Sequence, residues 1–327
     1  MRIADARVLH VDCDTGVDDA MALLYLLLDE RAEIASISTV FGNTTAPAAA
    51  ANCLRVLDLV DADAIPVAVG ASRSLRGDIP ELAPHVHGED GLGGVGLPAS
   101  ERPLDSRSAA ELIVHAARAR PGELHILATG PLTNLALALG IEPDLPALVA
   151  GVTVMGGAAD APGNQTAAAE ANILHDPEAA HAVLSADWPI TLVPLDVTMR
   201  EVVTERHRAA LAASDQPAAR FVAAITDFYF EFFHADSYTE RSSPCHDALA
   251  AAIAVGDVLP MLAPVIRVEI DCTDGPSRGA TICDTRGRYR GFPRQDDARC
   301  RVVLETAGTF PDRLVERLTR RRDATQT

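Results

Sequence analysis

A chain of 327 residues can bury a large core, and no apolar run in it approaches the roughly 18 residues that a spanning helix needs, so its 48% hydrophobic content predicts one soluble globular domain. The 46 Asp and Glu side chains against 28 basic ones leave a net charge of −18, which excludes nonspecific binding to nucleic acid or to an anionic membrane, since both need clustered positive charge. All the basic residues are Arg, which also excludes lysine nucleophiles and Walker-type phosphate lysines.

In chain order, short β-branched runs alternate with alanine- and leucine-rich stretches. Residues 8–12, 34–40, 66–70, 124–128, 152–155 and 190–194 read as buried strands. Residues 18–28, 45–60, 109–118, 132–139 and 177–184 read as helices between them. This alternation predicts the α/β class: a single domain with a mostly parallel central sheet flanked by helices on both faces. Long helices are expected at 217–233 and 246–255, then a hairpin of 265–270 with 279–283, a strand at 301–305 and a last helix from 311. Residues 72–102 are rich in Gly and Pro and lack strong periodicity, which predicts a long mobile loop of the kind that serves as a lid.

The N-terminus, residues 1–11, has neither the basic start nor the apolar stretch of a secretory signal. Cys13, Cys53, Cys245, Cys272, Cys283 and Cys300 form no CxxC pair and no zinc-ligand spacing, so reduced thiols in a cytoplasmic protein are expected.

Ligands of open parallel sheets bind beyond the carboxyl ends of the strands, and there this chain is polar. The first strand runs into Asp12-Cys13-Asp14-Thr15-Gly16-Val17-Asp18-Asp19, the second into Phe41-Gly42-Asn43, the fourth into Thr129-Gly130 and the fifth into Met155-Gly156-Gly157. Four carboxylates within eight positions repel one another, and a low-dielectric crevice holds them ionised only with a cation. Oxygen ligands without an adjacent His or Cys select a hard ion, Ca²⁺ or Mg²⁺. Helix capping explains one or two of the four, because a cap needs a single oxygen.

The pattern Asp-x-Asp-x-Gly-x-Asp-Asp at residues 12–19 resembles the signature of the inosine-uridine nucleoside hydrolase family. Further segments follow in family order: Thr39-Val40-Phe41-Gly42-Asn43, His87-Gly88-Glu89-Asp90-Gly91-Leu92-Gly93, Ala128-Thr129-Gly130-Pro131-Leu132-Thr133-Asn134, Val154-Met155-Gly156-Gly157, Asn164, Ala169-Glu170-Ala171-Asn172, Asp176-Pro177-Glu178 and His246-Asp247. The resemblance implies a Rossmann-like fold and Ca²⁺-dependent hydrolysis of nucleosides to base and ribose, in purine or pyrimidine salvage. It implies Asp14, Asp19, the Thr129 carbonyl and Asp247 as Ca²⁺ ligands, with Asp14 also taking a proton from metal-bound water. Asp18, Asn43, Asn164, Glu170, Asn172 and Asp247 would grip the ribose hydroxyls. A homodimer or homotetramer is carried over from the same resemblance.

At the leaving-group end the residues leave readings open. His246 matches a histidine assigned to protonating the departing base, with a packed histidine ahead of a helix as the lesser alternative. His87 is either a closing-loop residue or an exposed one. Tyr229 and Phe233, four apart, share a helix face and serve as base platform or as core. Thr15 stands where the family often has Pro, and Ala171 where some members have an aromatic residue. Asp12-Cys13-Asp14-Thr15 also resembles the opening of haloacid-dehalogenase-type phosphohydrolases, but these normally use a later Lys or Arg on the phosphoryl group, and the chain has no Lys. A noncatalytic ribose- or nucleoside-binding protein and a hydrolase of another N-riboside are the remaining alternatives.

Overall fold

The computed structural model describes residues 6–79 and 81–321. The first half alternates as expected: β1 (Arg7–Cys13), α1 (Val17–Leu27), β2 (Ala32–Thr39), α2 (Ala46–Asp58), β3 (Val67–Val69), a one-turn α3 (Pro84–His87), α4 (Ala109–Ala119) and β4 (Leu124–Ala128). Next come α5 (Thr133–Ile141), α6 (Leu145–Leu148), β5 (Gly151–Met155), α7 (Ala171–His175), α8 (Pro177–Ser185), β6 (Ile190–Val193) and α9 (Leu195–Thr198). The remainder holds β7 (Val202–Thr204), α10 (Glu205–Ala212), α11 (Pro217–Asp236), β8 (Ser242–Pro244), α12 (His246–Ala254), β9 (Val265–Ile266), β10 (Val268–Ile270), β11 (Thr281–Cys283), β12 (Cys300–Val302) and α13 (Phe310–Thr319).

Eight strands form one sheet in the order β3-β2-β1-β4-β5-β6-β12-β9. All neighbours are parallel except β12 and β9. The chain runs outward from β1 through β2 to β3, then returns to place β4 on the other side of β1. The switch point, where such sheets open a crevice, therefore lies between the ends of β1 and β4.

Six of the seven positions of β1 are buried, as a strand covered on both faces requires. The period of two divides the core. Leu9, Val11, Cys13 and Leu127 pack with α1, α2, α11, α12 and α13, while Val8, Ile126 and Ala128 pack with α4, α5 and α8. Local signals set helix starts: Ser108 Oγ accepts the Glu111 N–H at 3.4 Å and Glu111 returns a bond to the Ser108 N–H at 2.9 Å, a capping box ahead of α4. No helix among the described residues is long and apolar enough to cross a membrane.

The C-terminal expectation needs two corrections. The hairpin exists, but its first arm is split: Ile266 and Val265 pair with Cys300 and Arg301 at the edge of the main sheet, and only Val268–Ile270 pairs antiparallel with Thr281–Cys283. Two partners compete for one run, and the chain changes partner at Arg267. The strand expected over 301–305 ends at Val302. The three-residue β7 and β8, which pair antiparallel, are too short for periodicity to reveal.

Candidate active site

The end of β1 and the first turn of α1 bring their carboxylates inward. Asp12, Asp14, Asp18, Asp19 and, from the first turn of α12, Asp247 are all at most 5% exposed. Gly16 precedes α1, and a Cβ there would lie 2.5 Å from His87 Nδ1, so the backbone approach requires glycine.

Asp14 accepts the Asn43 N–H at 2.7 Å and the Asn43 amide at 3.2 Å. That same amide nitrogen stands 3.3 Å from Asp19, joining the two acids. Asp19 also accepts the Gly16 N–H at 2.8 Å and the Thr129 hydroxyl at 2.8 Å. Asp18 accepts the Tyr229 hydroxyl at 3.2 Å, while its other oxygen is buried with no hydrogen-bond partner among the described residues. Asp12 accepts from Ser38 Oγ at 2.5 Å and Asn134 Nδ2 at 2.8 Å, again leaving one oxygen without a partner.

Burial raises every one of these acids. Asp12 and Asp18 are each pushed up to about 7, Asp18 with help from the charge of Asp19. Asp14 is held well above the carboxylate range by burial and then by Asp19 and Asp18, and Asp247 by burial and then by Asp18, Asp19 and Asp14. Among the described residues none of Asp14, Asp18, Asp19 and Asp247 has an arginine ion pair. Acids packed like this, all oxygen donors with an orphaned buried oxygen, fit a hard divalent cation. One oxygen each from Asp18, Asp19 and Asp247 lie within 4.8 Å of one another. That trio contains Asp18, expected as a ribose contact, while Asp14 joins it through Asn43.

The Thr129 carbonyl, at the end of β4, accepts the Asn172 amide at 2.8 Å. Glu170 caps α7: its carboxylate accepts the N–H groups of Asn172 at 3.0 Å, Ile173 at 3.2 Å and, across the loop, Gly157 at 2.9 Å. Glu170 and Asn172 are thus buried beside β5, whereas Asn164 is exposed at the rim, its side chain accepting the Ala171 N–H at 3.0 Å.

His87 is buried, not an exposed loop residue. Its Nδ1 accepts the Val17 N–H at 3.1 Å and lies 3.9 Å from Asp18, and burial pushes it down to about 3. Its loop is tied down where Asn52 donates to the Asp90 carbonyl at 2.8 Å. Ring centroids run from His87 to Tyr229 (5.4 Å), Tyr229 to Phe233 (4.9 Å) and Phe233 to His246 (6.1 Å), forming an aromatic wall beside the acids. His246 is buried and pushed down to about 4, and its Nδ1 is 2.8 Å from Thr198 Oγ1. Sequence reading singled out neither Thr198 nor the supporting role of Asn134, which donates to Asp12 and to the Thr39 carbonyl. Asn134 lies in a motif quoted for the resemblance, while Thr198 carries no local signal.

A family profile described as inosine-uridine preferring nucleoside hydrolase matches residues 9–309. A probable uridine nucleosidase 2 of Arabidopsis thaliana is 34% identical, over 91% of this chain and 90% of that protein. The inosine-uridine preferring nucleoside hydrolase of Crithidia fasciculata is 33% identical, over 91% and 93%. Among solved structures, a plant nucleoside hydrolase, PpNRh1, superposes with a TM-score of 0.89 at 30% identity, covering 96% of this chain and 99% of that one. A purine-preferring ribonucleoside hydrolase from Gardnerella vaginalis gives 0.88 at 29%, covering 96% and 98%.

Proposed function

The chain belongs to the inosine-uridine preferring nucleoside hydrolase family, and from that premise we propose that it hydrolyses the N-glycosidic bond of ribonucleosides, with Ca²⁺ as cofactor, to free base and ribose. The observation that carries the reading is the convergence of buried Asp14, Asp18, Asp19 and Asp247 beside Thr129 and Asn172 at the switch point of the sheet. Asp14, Asp19, the Thr129 carbonyl and Asp247 would hold the cation. When bound, Ca²⁺ supplies the positive charge that keeps these acids ionised and makes a neighbouring water more acidic.

Asp14 takes a proton as water attacks the anomeric carbon. Asp18, Asn43, Glu170, Asn172 and Asp247, with Asn164 at the rim, grip the ribose hydroxyls, which positions the sugar. The same carboxylates favour the positive charge of an oxocarbenium-like transition state. His246 donates a proton to the departing base; burial holds its charged form to a minority near neutral pH and makes that form a stronger acid. His87 closes over the sugar with its loop, residues 72–102 acting as the lid, and Tyr229 steadies Asp18 through its hydroxyl.

The test is ribose release from purine and pyrimidine nucleosides by wild type and Asp14→Ala, with and without a chelator. Both base classes belong in the panel because relatives are named for uridine, for inosine and uridine, and for purine preference. Release that depends on the base, and disappears in Asp14→Ala, is expected. Tight ribose or nucleoside binding without release would instead indicate a binding protein or a hydrolase of another N-riboside. We also assign the enzyme to the cytoplasm, supported by six free thiols, and to a homodimer or homotetramer, which sedimentation equilibrium will test.

A further inference from the structure

Against His246 stands a residue without a role so far. Thr198, the last residue of α9, is fully buried, with its hydroxyl 2.8 Å from His246 Nδ1. Among the described residues that hydroxyl makes no other hydrogen bond, and His246 Nε2 makes none at all. The backbone on either side is already fixed: Glu201 takes the Cys245 N–H on its carbonyl at 2.9 Å, immediately before α12. The Phe233 ring lies 6.1 Å from the imidazole. An aromatic neighbour limits the ring's space but cannot distinguish its two nitrogens. Among the described residues the Thr198 hydroxyl alone does that.

We propose that Thr198 is a positioning residue for the hydrolase reaction, holding Nδ1 of His246 so that Nε2 meets the departing base. This inference rests on the hydrolase reading above. A hydroxyl both donates and accepts, so the contact survives a change of ring protonation. With the ring charged, Nδ1–H donates its hydrogen bond to the Thr198 hydroxyl oxygen. As the bond from the anomeric carbon to the base breaks, its electron pair stays on the base nitrogen, which takes the Nε2 proton. The ring keeps its Nδ1 proton against Thr198 and regains the other from water. In the neutral ring with the proton on Nε2, Thr198 donates to Nδ1 instead.

The experiment compares wild type, Thr198→Val and Thr198→Ser on nucleosides and on 4-nitrophenyl riboside, whose leaving group departs without a proton, with each variant checked for melting temperature. Thr198→Val, nearly the same shape without the hydroxyl, should lower nucleoside kcat by about 10–100-fold with KM little changed, part of the roughly 100–10,000-fold that a positioned general acid contributes. Thr198→Ser should recover most of that loss, and the nitrophenyl substrate should be affected by less than about 3-fold. In a His246→Gln background Thr198→Val should add almost nothing, because residues acting as one unit are non-additive. Equal losses on both substrates, no recovery in Thr198→Ser, or additive losses in the double variant overturn the proposal. An unaffected Thr198→Val in an active enzyme overturns it alone. A wild type that releases ribose from no riboside overturns the hydrolase reading and this inference with it.

Discussion

Gly42→Ala tests the placing of the catalytic base without touching a catalytic side chain. A Cβ at Gly42 would lie 2.0 Å from Asp14 Oδ2 and 2.9 Å from its Cγ, about 1.4 Å short of ordinary contact with the oxygen. Moving the carboxylate that far breaks its bond from the Asn43 N–H, now 2.7 Å, and strains that from the Asn43 amide at 3.2 Å. Hydrogen bonds to a charged group contribute about 1.5–3 kcal/mol each, and misplacing a reacting group by about 1 Å costs on the order of 100-fold in rate. We therefore expect kcat for ribose release to fall about 100-fold and the melting temperature to fall by several degrees. Gly140→Ala is the matched control. It sits exposed in α5 with nothing within 4 Å of the new methyl group. Alanine there should leave kcat unchanged and stabilise the helix by up to about 1 kcal/mol. A Gly42→Ala enzyme retaining more than about a third of wild-type kcat would refute the claim that Asp14 acts from this position.

Chelation should lower the melting temperature, because the acids that the cation neutralises would then repel one another; restoring free Ca²⁺ to about 100 times its Kd should return about 2.7 kcal/mol. A higher melting temperature in chelator would contradict the assigned cation site. Tyr229→Phe removes the hydroxyl that Asp18 accepts. A loss of about 5-fold in kcat/KM that is equal for purine and pyrimidine nucleosides is expected; a loss confined to one base class would make Tyr229 a base contact instead. His10, fully buried between Ser36 and Ser38 at 2.7 Å each, is pushed down by burial from 6.5 to about 3. The unfolded chain therefore protonates first as pH falls, so this contribution is intact above pH 6.5 and is lost between pH 6.5 and about 3, roughly 3–5 kcal/mol in all. Urea unfolding across that window should show a steep fall for wild type and a shallower one for His10→Gln; parallel curves would exclude His10 as a source.

The strands and the longer helices of the first 200 residues were legible because each has a strong local pattern, whereas the helices of four or five residues, α3, α6, α7 and α9, are too short to show one. Residues 124–128 read as strand and form β4, since five buried positions between helices admit no other periodicity. The arm at 265–270 was not legible in detail: which of two partners each half takes depends on where β12 and β11 come to lie.

At the site, the acids of residues 12–19 announced themselves through charge that a folded interior cannot hold alone, and the ordered motifs identified their family. That much the sequence determined by itself, since composition and short-range spacing carry it. The remainder depends on contacts across long stretches of chain. Asp247 meets Asp18 and Asp19 only because α12 packs on α1. The Tyr229 hydroxyl chooses Asp18 from 211 residues away, and Thr198 reaches His246 across 48. Such hydrogen bonds act over about 3 Å of space and leave no trace in local periodicity, so the tertiary structure alone decided them.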